Sequence, residues 1–278
     1  MPNTHKQTNT EKTTKKIIFL DTETTGLENG RMIQLAYKER GSADIFAEYY
    51  KPPKAIEFEA MAVHHITEKM VANKEAFNES DIYKELPKML EEGILIAHNA
   101  PFDINILKTE GIETGLSIDT CKIAMAMYDF PNYKMQSLRY RWGIEIDDAI
   151  AHDAKGDVLV LEEVFEYMLK DYMNRENLDE SKTIEKFVEI TKEPLLLKKI
   201  SFGKHFGKTF DEIRETELSY LEWLGNKLAQ DGGDDVNLLH TVSYTSKKVR
   251  KIRLEMVPKE RIYLFKKVEF FRYLVYSI

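Results

Sequence analysis

Apolar residues run without interruption from Ile17 to Leu20, and the run ends at Asp21. A continuous run of this kind, unlike an alternating one, suits a strand buried on both faces. Met32 to Lys38 and Ile45 to Tyr50 read as two further strands, with Glu28-Asn29-Gly30 and Arg40-Gly41-Ser42 as the turns. From Ser80 to Glu92 the spacing changes: Ile82, Leu86, Met89 and Leu90 recur at helical intervals, with Pro87 inside the stretch as a candidate kink. Ile94 to Ala97 is another short apolar run, after which Pro101 opens a helix through Leu107. Cys121 to Tyr128, Gln136 to Trp142 and Ala154 to Met173 follow as helices, the last with Val158, Leu161, Val164, Phe165 and Met168 on one face. Three strands, then a helix, a strand and more helices predict an α/β fold, a mixed sheet covered by helices.

The polar stretch 174–183, NRENLDESKT, predicts a linker between a first domain (15–173) and a small C-terminal module (184–246) that opens with a helix from Ile184 to Ile190. Residues 1–14 belong to a polar, Thr-rich opening without an apolar core and read as a disordered arm, not a signal peptide. Of 278 residues, 43% are hydrophobic and 31% charged, as in an ordinary globular protein. The single cysteine, Cys121, excludes an intramolecular disulfide and points to a reducing, cytoplasmic setting. No apolar run approaches membrane-spanning length. Charge is unevenly spread: residues 247–278 hold ten Lys and Arg against Glu255, Glu260 and Glu269, while the whole chain carries −7. An acidic body with a basic tail permits a carboxylate-rich metal site on the one and a polyanion contact on the other.

Three short segments carry the candidate chemistry. In Asp21-Thr22-Glu23-Thr24-Thr25-Gly26 the two carboxylates are two residues apart on a strand and so face one side. Such a pair repels unless a cation lies between its members or one holds a proton. In His98-Asn99-Ala100-Pro101-Phe102-Asp103 the aspartate falls in the first turn of a helix, where the helix dipole favours an anion. In His152-Asp153-Ala154-Lys155-Gly156-Asp157 the second aspartate lies about one turn into the long helix. Taken singly, each is also a good turn or helix start. Together they offer four carboxylates and a histidine, the donor set of a site in which two hard cations stabilise the attacking and leaving oxygens of a phosphoryl transfer. A neutral imidazole beside them can accept a proton from water.

The three segments resemble, in order and spacing, the exonuclease motifs of the DEDD superfamily, histidine subclass: D-x-E-T-T-G, H-N-A-x-F-D and H-x-A-x-x-D. The likeness spans about Lys15 to Met173 and implies a ribonuclease-H-like fold. It implies that Asp21, Glu23, Asp103 and Asp157 bind two Mg²⁺ or Mn²⁺ ions, with Asp21 bridging and His152 as general base. The implied reaction is 3′→5′ hydrolysis of terminal phosphodiesters, releasing nucleoside 5′-monophosphates. Leu27 resembles the apolar residue that wedges against terminal bases, and Thr24 one that meets the terminal nucleotide through its backbone. Val63-His64-His65-Ile66-Thr67 resembles a V-H-G-I-T segment that places His64 near that nucleotide, with His65 standing where the family has glycine. Asp119-Thr120, before a helix, resembles another family feature and reads as structural.

Farther on, Phe202-Gly203-Lys204, Gly207-Lys208, Ile213 and Tyr220-Leu221-Glu222-Trp223-Leu224 resemble the small C-terminal module of some exonuclease X-like proteins. Lys204 and Lys208, beside glycines and aromatics, are candidates for phosphate contact; a tight β-hairpin with solvated lysines is the alternative. The tail, 247–278, mixes basic and aromatic residues and fits single-strand binding, packing on the body, or a poorly ordered end. The expected function is a metal-dependent 3′→5′ exonuclease on DNA, in repair or end processing. The alternatives are a polymerase proofreading subunit, an RNA-trimming relative, and a catalytically silent nucleic-acid scaffold.

Overall fold

The structure is a computed structural model that describes residues 15–146, 154–230 and 236–255. The chain divides into two units, Met1–Glu193 and Pro194–Ile278. In the first, strands β1 (Ile17–Thr24), β2 (Met32–Glu39) and β3 (Phe46–Tyr49) form an antiparallel meander. Two short helices, α1 (Phe58–His64) and α2 (Glu68–Val71), and then α3 (Asp81–Glu92) lead to β4 (Ile94–Ala97). Helix α4 (Ala100–Thr109) connects to β5 (Leu116–Asp119), and α5 (Thr120–Met127), α6 (Met135–Arg141), α7 (Ala154–Glu176) and α8 (Glu180–Lys192) follow. The strand order is β3-β2-β1-β4-β5, with β4 and β5 parallel to β1. This is the mixed, helix-flanked sheet expected from the sequence.

The continuous apolar run of β1 has the predicted cause, because it is buried on both faces. Ile17 and Phe19 join one core with α5, α7 and α8, while Ile18 and Leu20 join another with α3 and α4. Phe19 meets Phe165 of α7 edge to face at 5.6 Å. Truncating either ring to alanine should cost about 3–5 kcal/mol. Helix α7 is further tied to the end of β2 and the residue just past it by the ion pairs Lys38–Glu162 and Arg40–Glu166, whose glutamates lie one helical turn apart.

Three expectations change. Helix α3 runs through Pro87 as a single element, because Ile82, Leu86 and Leu90 anchor it in the core on both sides of the proline. The strand β5 was not foreseen. The polar stretch 174–183 is no domain boundary: α7 continues to Glu176, α8 starts at Glu180, and Phe187 packs into the first core against Phe165 and Tyr172. The division falls after α8 instead.

The second unit has its own core, in which Ile200, Phe210, Ile213, Leu221, Leu224, Leu238 and Val242 are buried together. It contains α9 (Phe210–Gln230) and α10 (Val236–Glu255). Residues 247–255 of the expected tail continue α10, whereas 256–278 and the N-terminal arm 1–14 lie outside the described residues. No helix among the described residues is long and apolar enough to cross a membrane.

Candidate active site

Strand β1 outruns its parallel neighbour. It pairs with β4 only at Ile17, Ile18 and Phe19, so Asp21 to Thr24 project past the end of β4 while β2 still supports them on the other side. Alternation then sorts the side chains. Asp21 and Glu23 share the face of Phe19, the one covered by α7, whereas Thr22 and Thr24 share the face of Leu20.

Asp157 arrives on the α7 face from the first turn of that helix and is buried. Carboxylate oxygens of Asp21, Glu23 and Asp157 lie within 4.8 Å of one another. Two side chains fix this corner. The Gln34 Oε1, from β2, accepts the Ala154 backbone N–H at 3.4 Å, and Gln136 donates Nε2–H to Asp157 Oδ1 at 2.9 Å. Arg139, on the same helix as Gln136, in turn donates to the carbonyls of Ile144 and Ile146.

Asp103 approaches from the other face. Past the end of β4 the chain turns through Asn99, in the left-handed region at φ 68°, and enters α4. The Asp103 Oδ1 accepts both the backbone N–H and the hydroxyl of Thr22, at 3.0 and 2.8 Å. It thereby satisfies an amide that has no β4 residue opposite it. Burial pushes the Asp103 carboxyl up to about 7, against the pull of the two Thr22 hydrogen bonds. Asp103 is thus bonded to the backbone between Asp21 and Glu23 and stands outside the three-carboxylate group. His152 and Asp153 lie outside the described residues.

The remaining candidates surround the tip of β1. Between Thr25 and Arg31 the chain closes tightly, and a Cβ on Gly30 would lie 2.2 Å from the Gly26 carbonyl oxygen. The Arg31 guanidinium grips Glu110 with two hydrogen bonds, at 2.8 and 2.7 Å, and so braces the loop. Leu27 projects from this loop and is 83% exposed. Phe58 is similarly exposed, next to Glu57, whose amide donates to the Thr25 carbonyl. His64 is buried, and both ring nitrogens are engaged. Its Nδ1 accepts the Ile66 N–H at 3.0 Å, which leaves Nε2–H to donate to the Thr24 carbonyl at 3.2 Å. His65 adopts φ 60°, the left-handed conformation for which the family pattern has glycine.

Asp119 behaves as the structural residue it was read to be. Its Oδ1 accepts from Cys121 N–H and Lys122 N–H, capping α5, and from Asn99 N–H, which ties β5 to the turn before Asp103. Burial lowers the pKa of the neighbouring His98, whose Nε2–H donates to the Tyr133 carbonyl. Sequence reasoning passed over Gln34 and Gln136. A glutamine within the otherwise apolar MIQLAY of β2 was a usable signal for the first; Gln136, in the first turn of an amphipathic helix, gave none. Lys204 and Lys208 belong to the second unit and are exposed; Lys204 is ion-paired with Glu217 at 2.6 Å.

All donors of the three-carboxylate group are oxygens, which suits a hard divalent cation and not a soft one. A family model described as Exonuclease matches residues 18–165. Exodeoxyribonuclease 10 of Escherichia coli K12 is 29% identical over 216 residues, covering 76% of this chain and 90% of that protein. A DNA polymerase III subunit epsilon-like protein of Rhodobacter capsulatus is 30% identical over 162 residues, covering 53% of this chain but only 23% of its own length. Among solved structures, exonuclease X in complex with 5′ overhanging duplex DNA matches at 24% identity and TM-score 0.47, over 63% of this chain and 99% of that one.

Proposed function

The chain belongs to the exonuclease family, and from that premise we propose that it removes nucleotides from DNA 3′ ends with two divalent cations, in repair or end processing. The observation that carries the reading is the convergence of Asp21, Glu23 and Asp157 from β1 and α7 onto one spot. These residues, with Asp103 beside Thr22, would hold two Mg²⁺ or Mn²⁺ ions. Such ions, when bound, stabilise the charge on the attacking and leaving oxygens.

The chain's own groups do the rest. His152, two residues before α7, takes a proton from the attacking water while its imidazole is neutral. The water oxygen bonds to phosphorus, the bond from phosphorus to the 3′ oxygen of the preceding nucleotide breaks, and that departing oxygen takes up a proton from solvent. The products are a nucleoside 5′-monophosphate and a strand ending in a 3′ hydroxyl. Thr24 meets the terminal nucleotide through its backbone, which His64 fixes from behind by its hydrogen bond to the carbonyl. Exposed Leu27 wedges against the terminal bases. Lys204 and Lys208 serve capture of the strand and not chemistry.

The test uses matched DNA and RNA oligonucleotides, single- and double-stranded, labelled at the 5′ end, with Mg²⁺ and with EDTA. A ladder of shortening 5′-labelled DNA that EDTA abolishes is expected. Release of the labelled 5′ nucleotide first, or no shortening of DNA, would overturn the reading; preference for RNA would move it to RNA trimming. The likeness to a polymerase III epsilon-like protein favours a second reading, a proofreading subunit. Co-purification with a polymerase that raises activity on mismatched 3′ ends would establish it.

A further inference from the structure

The second unit carries an exposed strip whose parts have no place in the chemistry above. Helix α9 is broken at Glu217, whose backbone leaves the helical region at φ −153°, ψ 65°. Beyond the break, residues 221, 224 and 228 turn Leu side chains toward the core, while Tyr220, half-buried at the edge of that core, Trp223 and Lys227 follow at i, i+3 and i+7 on the adjoining face. Trp223 is 53% exposed. Its ring lies 5.6 Å from that of Tyr220, and Lys227 Nζ stands 5.6 Å over its centroid.

The glycine-lysine loop completes the strip at the other end. The loop is not the β-hairpin offered as the alternative reading but a short 3-10 turn, Gly203–His205, closed by an isolated bridge between Lys199 and Thr209. Gly203 and Gly207 take φ 63° and 81°, conformations that side-chain-bearing residues rarely adopt. The Glu217 carboxylate clamps the loop to the helix, accepting from Lys204 Nζ at 2.6 Å and His205 Nε2 at 3.1 Å. So held, Lys204 Nζ sits 5.1 Å over the Tyr220 ring. The result is a row of cation, ring, ring, cation fixed on one surface.

We infer that this row, Lys204–Tyr220–Trp223–Lys227, is a binding surface for single-stranded nucleic acid. Two features select that partner. Residues 247–278, in the same unit as the row, hold ten basic against three acidic residues, so this unit offers a polyanion a cationic stretch that residues 1–193, at −12, do not. The accessible Trp223 ring needs an unstacked base to meet it, which a single strand provides and a paired duplex does not. Lys227 then neutralises a phosphate beside the stacked base, while Lys204, paired with Glu217, holds the Tyr220 ring in place. The inference rests on the exonuclease reading and names how its substrate is captured.

The test measures binding of the full chain to a labelled 20-nucleotide oligothymidylate in EDTA, where no hydrolysis occurs. It therefore stands apart from the exonuclease reading, which fails or survives on Mg²⁺-dependent shortening by the wild type. Trp223→Ala should weaken binding about tenfold, within the range for losing one stacked base, and Trp223→Phe should restore most of it. Lys227→Gln should lower the slope of log affinity against log salt by about 0.7, one counterion's worth on a single strand. In a Trp142→Phe background Trp223 is the sole tryptophan, and the oligonucleotide should quench its emission. Heparin, a polyanion without bases, should bind without quenching. Unchanged affinity in Trp223→Ala, or Trp223 emission that the oligonucleotide leaves unaltered or heparin quenches equally, would overturn the assignment.

Discussion

The two units use charge in opposite ways. In the first, acidic side chains gather at the tip of a buried strand, held by a backbone amide, a threonine hydroxyl and a glutamine. In the second, basic side chains lie at the surface, resting on aromatic rings. Gathered carboxylates repel one another, and the surrounding sheet and helices must hold them together. Exposed lysines cost little to maintain, but salt weakens what they bind. Placement of the first kind suits chemistry at one point, and of the second kind capture along a length of chain.

The strongest way to break this contrast is to remove a carboxylate. Asp157→Ala should lower hydrolysis about 10³-fold or more, since several kcal/mol of charge stabilisation are lost with one ligand. Circular dichroism should remain that of the wild type, because the removed group is mutually repelled and not a packing element. Near-normal turnover in the folded variant would end the assignment. His152→Ala comes next, with an expected loss of about 10²–10⁴-fold, the span for one general base. Its Mn²⁺ affinity should stay close to wild type, and a fall as large as that of Asp103→Ala would make His152 a ligand instead.

A subtler effect sits at Asp103. Its folded carboxyl is raised to about 7 from an unfolded value of 3.8, so the proton binds the folded state better. The metal-free fold is therefore helped at low pH and loses that help as pH rises from about 4 through about 7. Asp103→Asn keeps an oxygen for Thr22 and cannot ionise. Its melting temperature in EDTA should exceed that of the wild type at pH 8, and the gap should close by pH 4. A gap independent of pH would contradict the burial argument. The smallest expected change belongs to the second unit: Lys208→Ala should shift KM on long strands severalfold at low salt, with kcat unaltered. A drop in kcat would bring Lys208 into the chemistry.

Much of this was legible in the sequence where a residue's spacing states its geometry. The run Ile17–Leu20 and the D-x-E step at its end put Asp21 and Glu23 on one side of a strand, and the resemblance of the later segments to the exonuclease motifs implied that Asp157 would join them. What was not legible depends on partners distant in sequence. The four residues of β5, LSID, alternate apolar and polar, but a run of four is too short to declare a strand by itself, and it is fixed as one by pairing with β4. That Asp103 stands behind Thr22 follows from α4 and α7 covering opposite faces, which local pattern does not encode. The helix Glu180–Lys192 looked like the start of a second module because a polar turn precedes it, yet Phe187 commits it to the first core. At His65 the pattern departed from glycine, and this histidine takes the left-handed conformation that favours glycine.

The central claim is that the convergent carboxylates exist to hold divalent cations, and calorimetric titration of the full chain with Mn²⁺ tests it most directly. The account predicts two ions bound per chain in the wild type, and loss of both sites, or of one with severe weakening of the other, in Asp21→Asn, with the fold unchanged by circular dichroism. A wild-type chain that binds no Mn²⁺, or an Asp21→Asn chain that binds two ions with wild-type affinity, would contradict it.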